Sequence, residues 1–565
     1  MNSIREMVMS DFSTAAVVDN FRVAADGTLT KRDGCVLLTD LRQTIRGTVY
    51  DGGSVIYAVA GSELYCISDG DFYYIDELSD CSFGSDDEQC VMFIYSGILY
   101  IFGGGIVYRY DTVNGILNSN AGYAPIYKSK VSDYTPERFN MITSRVREIT
   151  TLSSSDTMYI FSPIPTAMHS VTVDGKVLKS SQYKHAKIGT ASYYIQITDT
   201  SILSDSNVVT LEYSVNKSVF TAQTSQYTSS RHAYVYEGEN AVRVFLYSND
   251  EGCIYYSEPL IDSYGNTAIA DYFPEHFKLV IGDGTQKILA VARQEDRTIV
   301  ITQSAAYYLI ETTVTDVNGV PHAGFRTVEI NDELGISENS GTVSYEDSLY
   351  LINPLGLYRL SFNPVELKYS TSLIDIPNNV GIPRGELSNV RLHLDRTNHE
   401  LWCQNGSVIA VMSLASGRWY RFSGFTPSMM FTYKSASAFC EDGRICLFTV
   451  GETDDCGVGF DAYVETQNLD LGNIFAEKTV YGFGAAFERR DGAVLECTLK
   501  SDKGDVFTFS VASDDDAGDV SPVVKRTHAR LGGLAYVICR IVSPGGAAPA
   551  NVRRIMLRYR MTGGS

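Results

Sequence analysis

The stretch VMFIYSGILYIFGGGIVYRYD, which begins at Val91, decides the fold of this chain. Short runs of apolar and polar residues alternate in it, turn at small residues and close on tyrosine. Runs of this kind, broken by Gly, Asn or Ser-Gly, are typical of antiparallel strands joined by tight turns. Related units are VIYAVAGSELYCI from Val55, TIVITQSAAYYLIE from Thr298, SLYLINPLGLYRLSF from Ser348 and ELWCQNGSVIAVMSLASGRWYRF from Glu400.

Strand pairs that recur roughly every 40 to 50 residues are typical of β-propeller blades, each of which buries its faces against its neighbours. The aromatic composition agrees with strands, because 37 Tyr and 25 Phe stand beside only 2 Trp in 565 residues. We therefore predict an all-β chain: a propeller of about six or seven blades, with an inserted β-sandwich and a C-terminal β-sandwich.

The length and spacing of the predicted strands divide the chain into four parts. Residues 1–124 carry blade-like units and are predicted to form the first part of the propeller. Longer strands over 125–232 predict an inserted β-sandwich domain. Blade-like units return over 233–455 and complete the propeller, and 456–565 is predicted to be a C-terminal β-domain.

The charge balance limits the classes of partner. With 46 basic and 67 acidic residues the formal net charge is −21. This acidic balance argues against tight tracking of DNA or RNA and against docking on anionic lipid, because both need clustered Lys and Arg. An acidic surface suits solubility, and it would also suit a pore wall along which nucleic acid slides without sticking.

The 11 cysteines are scattered, form no CxxC pair and have no His at metal-ligand spacing. The sequence therefore predicts no zinc site. Free thiols inside apolar strand runs behave as small buried side chains and indicate assembly in a reducing compartment. Cysteines in such runs are Cys66, Cys90, Cys446 and Cys539.

The N-terminal segment has acidic residues and no long apolar core, so we expect no signal peptide. No stretch reaches the roughly 18 apolar residues of a membrane span, so we expect a soluble protein without a membrane anchor, made in the cytoplasm.

No catalytic signature stands out in the sequence. His393 and Asp395 lie two apart on a predicted strand and share a face, but no nucleophile motif lies near them. There is no GxSxG elbow, HExxH helix or phosphate-binding Gly-Lys-Ser or Gly-Lys-Thr loop. We therefore assign no catalytic residue, no cofactor-binding residue and no metal ligand, expect no cofactor, and predict that the chain is not an enzyme.

Three weaker features are interpreted structurally. The run Gly103–Gly105 opens no helix and predicts a turn. The acidic clusters at 86–88, 454–455 and 514–516 lack the ligand spacing of calcium loops, so they predict solvated loops. The tyrosine pairs at 73–74, 255–256 and 307–308 could stack on sugars, but a pair on a strand places one ring on each face, so we expect one of the two in the core.

The stretch DNFRVAADGTLTKRDG, from Asp19, resembles the opening of bacteriophage tail proteins that carry a Gly-x-Leu-x-Lys-Arg-x-Gly hairpin. The matching positions are Gly27, Leu29, Lys31, Arg32 and Gly34.

Later segments resemble the same proteins, in the same order along the chain. They are YFPEHFKLVIGDGTQKILAVARQEDRTIVITQSAAYYLIE from Tyr272, EINDELGI from Glu329, SLYLINPLGLYRL from Ser348 and VETQNLDLG from Val464. The family is the tail nozzle, or tail tubular protein B, of short-tailed phages, with the related propellers that plug or stabilise packaged DNA.

The resemblance implies a structural virion protein of the phage tail, a nozzle, ring or plug that lines or closes the DNA exit channel during assembly and genome ejection. It implies copies of the chain in a closed ring, contacts with neighbouring tail or connector proteins and with tail fibres, and passage of duplex DNA without sequence-specific binding. The expected location is the virion tail, after synthesis in the host bacterial cytoplasm. Two alternatives remain: a tail-tip adsorption module that binds host-surface glycan, and a propeller glycosidase with paired carboxylates.

Overall fold

The structure is a computed structural model of the 565-residue chain. The residues it describes are 4–68, 70–79, 83, 89–103, 106–119, 122–216, 227, 230–238, 242–247, 252–261, 267–269, 271–315, 319, 321–338, 341–473, 475–488, 492–512 and 523–562.

Five short strands begin the chain. They are β1 (Arg5–Met9), β2 (Val17–Asp19), β3 (Phe21–Val23), β4 (Leu29–Lys31) and β5 (Cys35–Asp40). All but β3 pair with strands that lie far away in sequence.

Two four-stranded antiparallel sheets follow, which we call blades 1 and 2. Blade 1 contains β6 (Ile45–Tyr50), β7 (Val55–Ala60), β8 (Glu63–Ser68) and β9 (Asp71–Glu77). Blade 2 contains β10 (Val91–Tyr95), β11 (Ile98–Gly103), β12 (Ile106–Asp111) and β13 (Ile116–Asn118).

The inserted β-sandwich comes next and consists of a five-stranded and a three-stranded sheet around one apolar core. Its strands are β14 (Ile126–Ser129), β15 (Arg145–Leu152), β16 (Met158–Phe161), β17 (Ala167–Val173), β18 (Lys176–Val177), β19 (Tyr183–Ile188), β20 (Ser192–Ile197) and β21 (Asn207–Ser214). Two 3-10 turns, Ser180–Gln182 and Thr200–Ile202, connect them.

Blades 3, 4 and 5 continue the propeller. Blade 3 contains β22 (His232–Glu237), β23 (Val242–Tyr247), β24 (Cys253–Tyr256) and, after a hairpin of β25 (Leu260–Ile261) and β26 (Thr267–Ile269), β27 (Lys278–Val280). Blade 4 contains β28 (Ile288–Gln294), β29 (Arg297–Thr302), β30 (Ala306–Thr315) and β31 (Pro321–Asn331). Blade 5 contains β32 (Thr342–Tyr345), β33 (Ser348–Asn353), β34 (Gly356–Asn363) and β35 (Lys368–Ile374).

Blades 6 and 7 follow two 3-10 turns, Asn378–Val380 and Arg384–Asn389. Blade 6 contains β36 (Arg391–Asp395), β37 (Glu400–Asn405), β38 (Val408–Ser413) and β39 (Trp419–Phe422). The chain then supplies three strands of blade 7, which are β40 (Met429–Tyr433), β41 (Ala436–Glu441) and β42 (Arg444–Phe448).

The remaining strands extend blade 7 and build the C-terminal β-sandwich. They are β43 (Asp454–Asp455), β44 (Val458–Gly459), β45 (Ala462–Glu465), β46 (Glu477–Phe487), β47 (Val494–Ser501), β48 (Val506–Ala512), β49 (Val523–Leu534), β50 (Val537–Ser543) and β51 (Val552–Thr562).

The propeller ring closes through the N-terminal strand β5. It pairs antiparallel with β42, with Cys35 opposite Phe448 and Asp40 opposite Arg444, and so becomes the fourth strand of blade 7. Strands from both ends of the propeller thus share one sheet, which leaves the ring without an open side. In the part of the chain that the structure describes, the propeller has seven blades, which confirms the predicted fold class.

The strands inside each blade are buried on both faces, because every blade is covered by its two neighbours. All six residues of β11 and all six of β33 are buried. This explains why apolar residues follow one another in these strands instead of alternating strictly with polar ones.

Strand β2 joins the propeller to the C-terminal β-sandwich. It pairs parallel with β39 of blade 6 on one side and antiparallel with β45 on the other. One nine-stranded sheet therefore runs from β36 through blade 6 into the C-terminal sandwich as far as β48.

The N-terminal segment differs from the predicted division of the chain. Residues 1–124 were predicted to form the first part of the propeller, but among the first four strands β1 and β4 pair with β51, β3 pairs with β4, and β2 lies between β39 of blade 6 and β45. Apart from the local β3–β4 hairpin, these partners lie about 400 residues away or more in sequence, so the local pattern holds no sign of them. Among the described residues, no helix has the length and apolar character needed to cross a membrane.

Candidate functional site

The Gly27–Gly34 hairpin lies where the propeller meets the C-terminal sandwich, a region we call the junction. Gly27 takes a φ of 89°, in the left-handed region that glycine tolerates, and a Cβ there would overlap the carbonyl oxygen of Ser10. Leu29 is fully buried in the C-terminal core. The hairpin thus anchors the N-terminal segment before the chain enters blade 7.

Arg32 is the central side chain of the junction, and its guanidinium is fully buried. Its two Nη atoms donate to the carboxylate of Asp455 at 2.9 and 2.6 Å. The Nε atom donates to Asn20 at 2.9 Å, and the carbonyl oxygens of Asp33 and Ser423 accept at 3.1 and 3.2 Å. All five N–H donors of the guanidinium are therefore used, which makes burial of this charge tolerable.

Aromatic rings enclose the same guanidinium. The Arg32 Cζ atom lies 3.8 Å from the ring centroid of Phe460 and 5.1 Å from that of Phe425. The rings of Phe422 and Phe448 lie within 6 Å. Cation–π attraction strengthens when the cation is removed from water, as it is here.

Lys31 is also buried and contacts Phe460 as well. Its Nζ atom donates to the carbonyl oxygen of Pro544 at 3.3 Å and lies 4.5 Å from the Phe460 ring centroid. Burial and the neighbouring Arg32 lower the pKa of Lys31 to about 8. Both residues of the Lys-Arg dipeptide in the hairpin motif are therefore buried and contribute to the packing of the junction.

Two further buried ion pairs tie the N-terminal segment to blade 6. Arg22 donates to Glu400 at 2.7 Å, and the same carboxylate accepts from Trp402 Nε1 at 3.0 Å and from Tyr420 at 2.7 Å. Arg421 donates through Nε and Nη2 to Asp19 at 3.0 and 2.8 Å.

Three cysteines meet beside the Arg32–Asp455 pair. Cys35 begins β5, Cys446 lies in β42, and Cys456 follows β43. The Sγ atom of Cys456 lies 3.6 Å from that of Cys35 and 3.3 Å from that of Cys446, and all three sulfur atoms lie within 4.8 Å of one another. Cys35 and Cys446 are buried, whereas Cys456 is partly exposed.

The chain approaches itself closely around these thiols. A Cβ on Gly34 would overlap the backbone of Asp454, so only glycine fits at this crossing. The hydrogen bond with Cys446 and burial raise the pKa of Cys35. Burial also raises the pKa of Cys456 to about 11. The thiols of Cys35 and Cys456 are therefore protonated at neutral pH.

His393 and Asp395 share a strand, as expected, but serve different partners. His393 Nε2 lies 3.0 Å from the hydroxyl of Ser437, and burial lowers the pKa of this imidazole to about 4. Asp395 accepts from the backbone of Thr397 and Asn398 in the turn after β36. Both residues thus have local structural roles.

The tyrosine pairs do not divide between core and surface as predicted. Tyr255 and Tyr256, in the interior strand β24, are both buried because neighbouring blades cover both faces. Tyr73 and Tyr74, in the outermost strand β9, are 58% and 54% exposed beside Phe72. Position within the blade decides burial more strongly than strand alternation does.

Of the acidic clusters, only Asp454–Asp455 lies in the described part of the chain, and Arg32 engages its second member. The clusters at 86–88 and 514–516, and two glycines of the run at 103–105, lie outside the described residues. Gly103 ends β11.

No local feature of the sequence marked the junction as a site. Its residues come from the first 35 positions, from positions 400 to 460 and from Pro544, and no local spacing rule connects them. The hairpin motif was the one available signal, and it identified Lys31 and Arg32 without indicating that they are buried.

Comparisons with known proteins add little to this geometry. No protein-family model matches the chain, and no curated protein matches it. Among solved structures it is similar to an exo-beta-1,3-galactanase from Phanerochaete chrysosporium, with 11% identity, 83% of this chain and 95% of that chain covered, and a TM-score of 0.15.

Two other similar structures have different descriptions. One is the extracellular domain of a one component system from B. thetaiotaomicron, with 9% identity, 97% of this chain and 99% of that chain covered, and a TM-score of 0.19. The other is the WD40 domain of SCAP from fission yeast, with 9% identity, 78% and 97% covered, and a TM-score of 0.28. At such scores the likeness assigns no activity or ligand, and the architecture rests on the strand pairing itself.

The prediction that the chain is not an enzyme was based on the absence of a catalytic motif. The comparisons contradict it, because the similar solved structures include exo-beta-1,3-galactanases.

Proposed function

We propose that this chain is a structural component of a bacteriophage tail, a subunit of a nozzle, plug or other ring at the DNA exit channel. One observation supports the proposal: the positions that match the tail-protein hairpin lie in the junction, where they pack the N-terminal segment against the propeller and the C-terminal sandwich. Gly27 and Gly34 permit close backbone crossings, Leu29 fills the C-terminal core, and Lys31 and Arg32 are buried at the junction.

A rigid subunit suits a part that must hold its shape while DNA passes. The nine-stranded sheet and three ion pairs, each with at least one buried member, join the propeller to the C-terminal sandwich. Copies would form a closed ring through head-to-tail contacts and meet neighbouring tail or connector proteins and tail fibres. The net charge of −21 would limit adhesion of passing duplex DNA and favours passage without sequence-specific binding.

The test is electron cryomicroscopy of intact virions of the phage that encodes the chain, with mass spectrometry to establish that the protein is present. We expect several copies at one position on the tail axis, around an opening wide enough for duplex DNA. Isolated copies at fibre tips, or absence from the virion, would contradict the proposal.

A second function is favoured by one surface. Phe72, Tyr73 and Tyr74 form an exposed aromatic edge on β9, and aromatic faces of this kind can stack on sugar rings. On this alternative the chain is a tail-tip adsorption module that binds host-surface glycan.

A glycan array with the purified protein separates the two functions. The adsorption module predicts saturable binding that Tyr73→Ala and Tyr74→Ala abolish and that Tyr134→Ala, at another exposed tyrosine, leaves unchanged. A tail ring predicts no saturable binding to any glycan on the array.

A further inference from the structure

Three thiols from distant parts of the chain converge at the junction. We propose that Cys35, Cys446 and Cys456 form a binding site for one soft metal ion, Zn²⁺ or Cu⁺. The ion would tie together the N-terminal strand of blade 7, its neighbour β42 and the segment that leads into the C-terminal sandwich. Thiolate sulfur is the ligand type that both ions prefer.

The sulfur positions already approach the geometry of such a site. Metal–sulfur bonds of about 2.3 Å place the three sulfur atoms of a trigonal or tetrahedral site about 3.8 to 4.0 Å apart. The separations from Cys456 Sγ are 3.6 and 3.3 Å. Small rotations about the Cα–Cβ bonds suffice to open the triangle around an ion.

The backbone holds all three cysteines firmly. Cys35 and Cys446 lie in the paired strands β5 and β42. Asp455 in β43 pairs in parallel with Cys35, and the Cys456 N–H donates to the Cys35 carbonyl oxygen at 2.7 Å. A site assembled before binding loses little conformational freedom when the ion arrives.

Cys456 also has an unusual backbone. Its φ is 53°, in the left-handed region that glycine adopts more easily, and Gly457 follows with a φ of 83°. In this conformation the Cys456 sulfur lies beside the two other thiols.

The buried Arg32–Asp455 ion pair lies beside the cluster, since Asp455 pairs with Cys35 in the sheet and precedes Cys456 in sequence. Three thiolates would add negative charge there, and a bound cation would balance it. Arg32 holds both oxygens of the Asp455 carboxylate, which leaves the three sulfur atoms as the protein ligands. The partly exposed side of Cys456 gives access to solvent, from which water would complete a four-coordinate zinc ion.

Binding replaces protons in a balanced step. Each of the three S–H bonds breaks, three metal–sulfur bonds form, and three protons pass to solvent. This site departs from the sequence-based expectation of no metal ligand, because the spacing rules cover only ligands that lie close in sequence.

The experiment uses the full-length protein, reduced, freed of metal by chelation and kept without oxygen. Zn²⁺ and Cu⁺ are titrated separately, each against a competing chelator. Cys456→Ser removes one ligand, and Cys66→Ser, at a partly exposed cysteine in blade 1, is the matched control. We expect one ion per chain in at least one titration for wild type and C66S, and affinity more than about 100-fold weaker for C456S.

A second measurement on the wild-type protein does not depend on how well a variant folds. A pH indicator in weakly buffered solution should report about three protons released per ion bound. No stoichiometric binding of either ion, equal affinity in C456S and wild type, or binding without proton release would overturn the proposal. So would a Cys446–Cys456 disulfide in freshly purified protein, found by mass spectrometry of unreduced peptides.

Discussion

At the residue scale, the junction shows how buried charges are made compatible with a β-rich core. Arg32 has a partner for each of its N–H groups and four aromatic rings around it. Asp271 is the opposite case: it is fully buried, its carboxylate oxygens accept no hydrogen bond, and Arg109 lies 3.8 Å away. The two residues therefore predict opposite effects of substitution.

Arg32→Lys should destabilise the protein strongly. Lysine keeps the charge but cannot reproduce the planar fork that reaches Asp455, Asn20 and Ser423, so we expect the free energy of unfolding to fall by about 3 kcal/mol or more. Urea denaturation measures this loss in the free energy of unfolding. The control is Arg293→Lys, in an exposed pair with Glu237, which should cost about 1 kcal/mol or less. Equal losses in both variants would contradict a special role for Arg32.

Asp271→Asn should stabilise the protein at neutral pH. Burial raises the pKa of the Asp271 carboxyl to about 6, above the value of about 3.9 in an unfolded chain. Below pH 4 both states are protonated and burial of charge costs nothing. Above pH 6 both are ionised, and the native state is penalised by about 3 kcal/mol.

The melting temperature of D271N should therefore exceed that of wild type at pH 7.5, and the difference should vanish as the pH falls to 4. The matched control is Asp283→Asn, at an exposed carboxylate that accepts from Thr285. Those hydrogen bonds lower the pKa of the Asp283 carboxyl. The ionised Asp283 side chain therefore stabilises the native state slightly at neutral pH, and this contribution is lost as the pH falls, which is the opposite of the behaviour of Asp271. A constant difference between D271N and wild type across this range would contradict the assignment.

At the element scale, strands β15 to β21 of the inserted sandwich form a segment whose two ends lie side by side. The Val215 N–H donates to the Ser144 carbonyl oxygen at 3.0 Å, so the segment between them leaves and returns at one point. Just before this point, Met141 and Ile142 pack into the core shared by blades 2 and 3, and Asn140 bonds the backbone of Asp271. The predicted boundary near residue 125 therefore includes residues on which the propeller depends.

Two deletions separate these contributions. Removing residues 145–215 and joining the ends through two glycines should leave a propeller that melts cooperatively. Removing 126–215 also takes away Met141 and Ile142, so this variant should melt at a clearly lower temperature. Circular dichroism with thermal melting measures both. If the shorter deletion is molten, the insertion is no separable domain, and equal melting of the two variants would contradict the role of the 140–142 segment.

At the scale of the whole molecule, the C-terminal sandwich and the propeller share a sheet, whereas the insertion has a core of its own. Shared strands and ion pairs couple the unfolding of two parts of a chain, whereas parts with separate cores unfold more independently. The protein should therefore behave as two cooperative units.

Calorimetry should show two unfolding transitions. Leu211→Ala opens a cavity in the core of the insertion. It should lower the free energy of unfolding of the insertion by about 2 to 5 kcal/mol and leave the other transition unchanged. Arg32→Lys should lower only the other transition. A third transition for the C-terminal sandwich, or a propeller transition unmoved by R32K, would contradict the coupling through the junction.

The amount that sequence reasoning could predict follows from the range of the interactions. The apolar runs from Val91 and Ser348, with their turn residues, predicted antiparallel strands and blades, because a strand and its hairpin partner lie a few residues apart. The change in strand length predicted the inserted sandwich for the same reason. Glycines 27 and 34 marked tight backbone conformations that only a residue without a Cβ adopts.

Only the tertiary structure decided what joins these parts. The pairing of β5 with β42, the place of β2 between blade 6 and β45, and the meeting of Cys35 with Cys446 all connect positions about 400 residues apart or more. Such contacts depend on how the blades close into a ring and carry no local periodicity. Burial of Lys31 and Arg32 likewise depends on rings and carboxylates from the far end of the chain, so a short sequence motif could name these residues but not their surroundings.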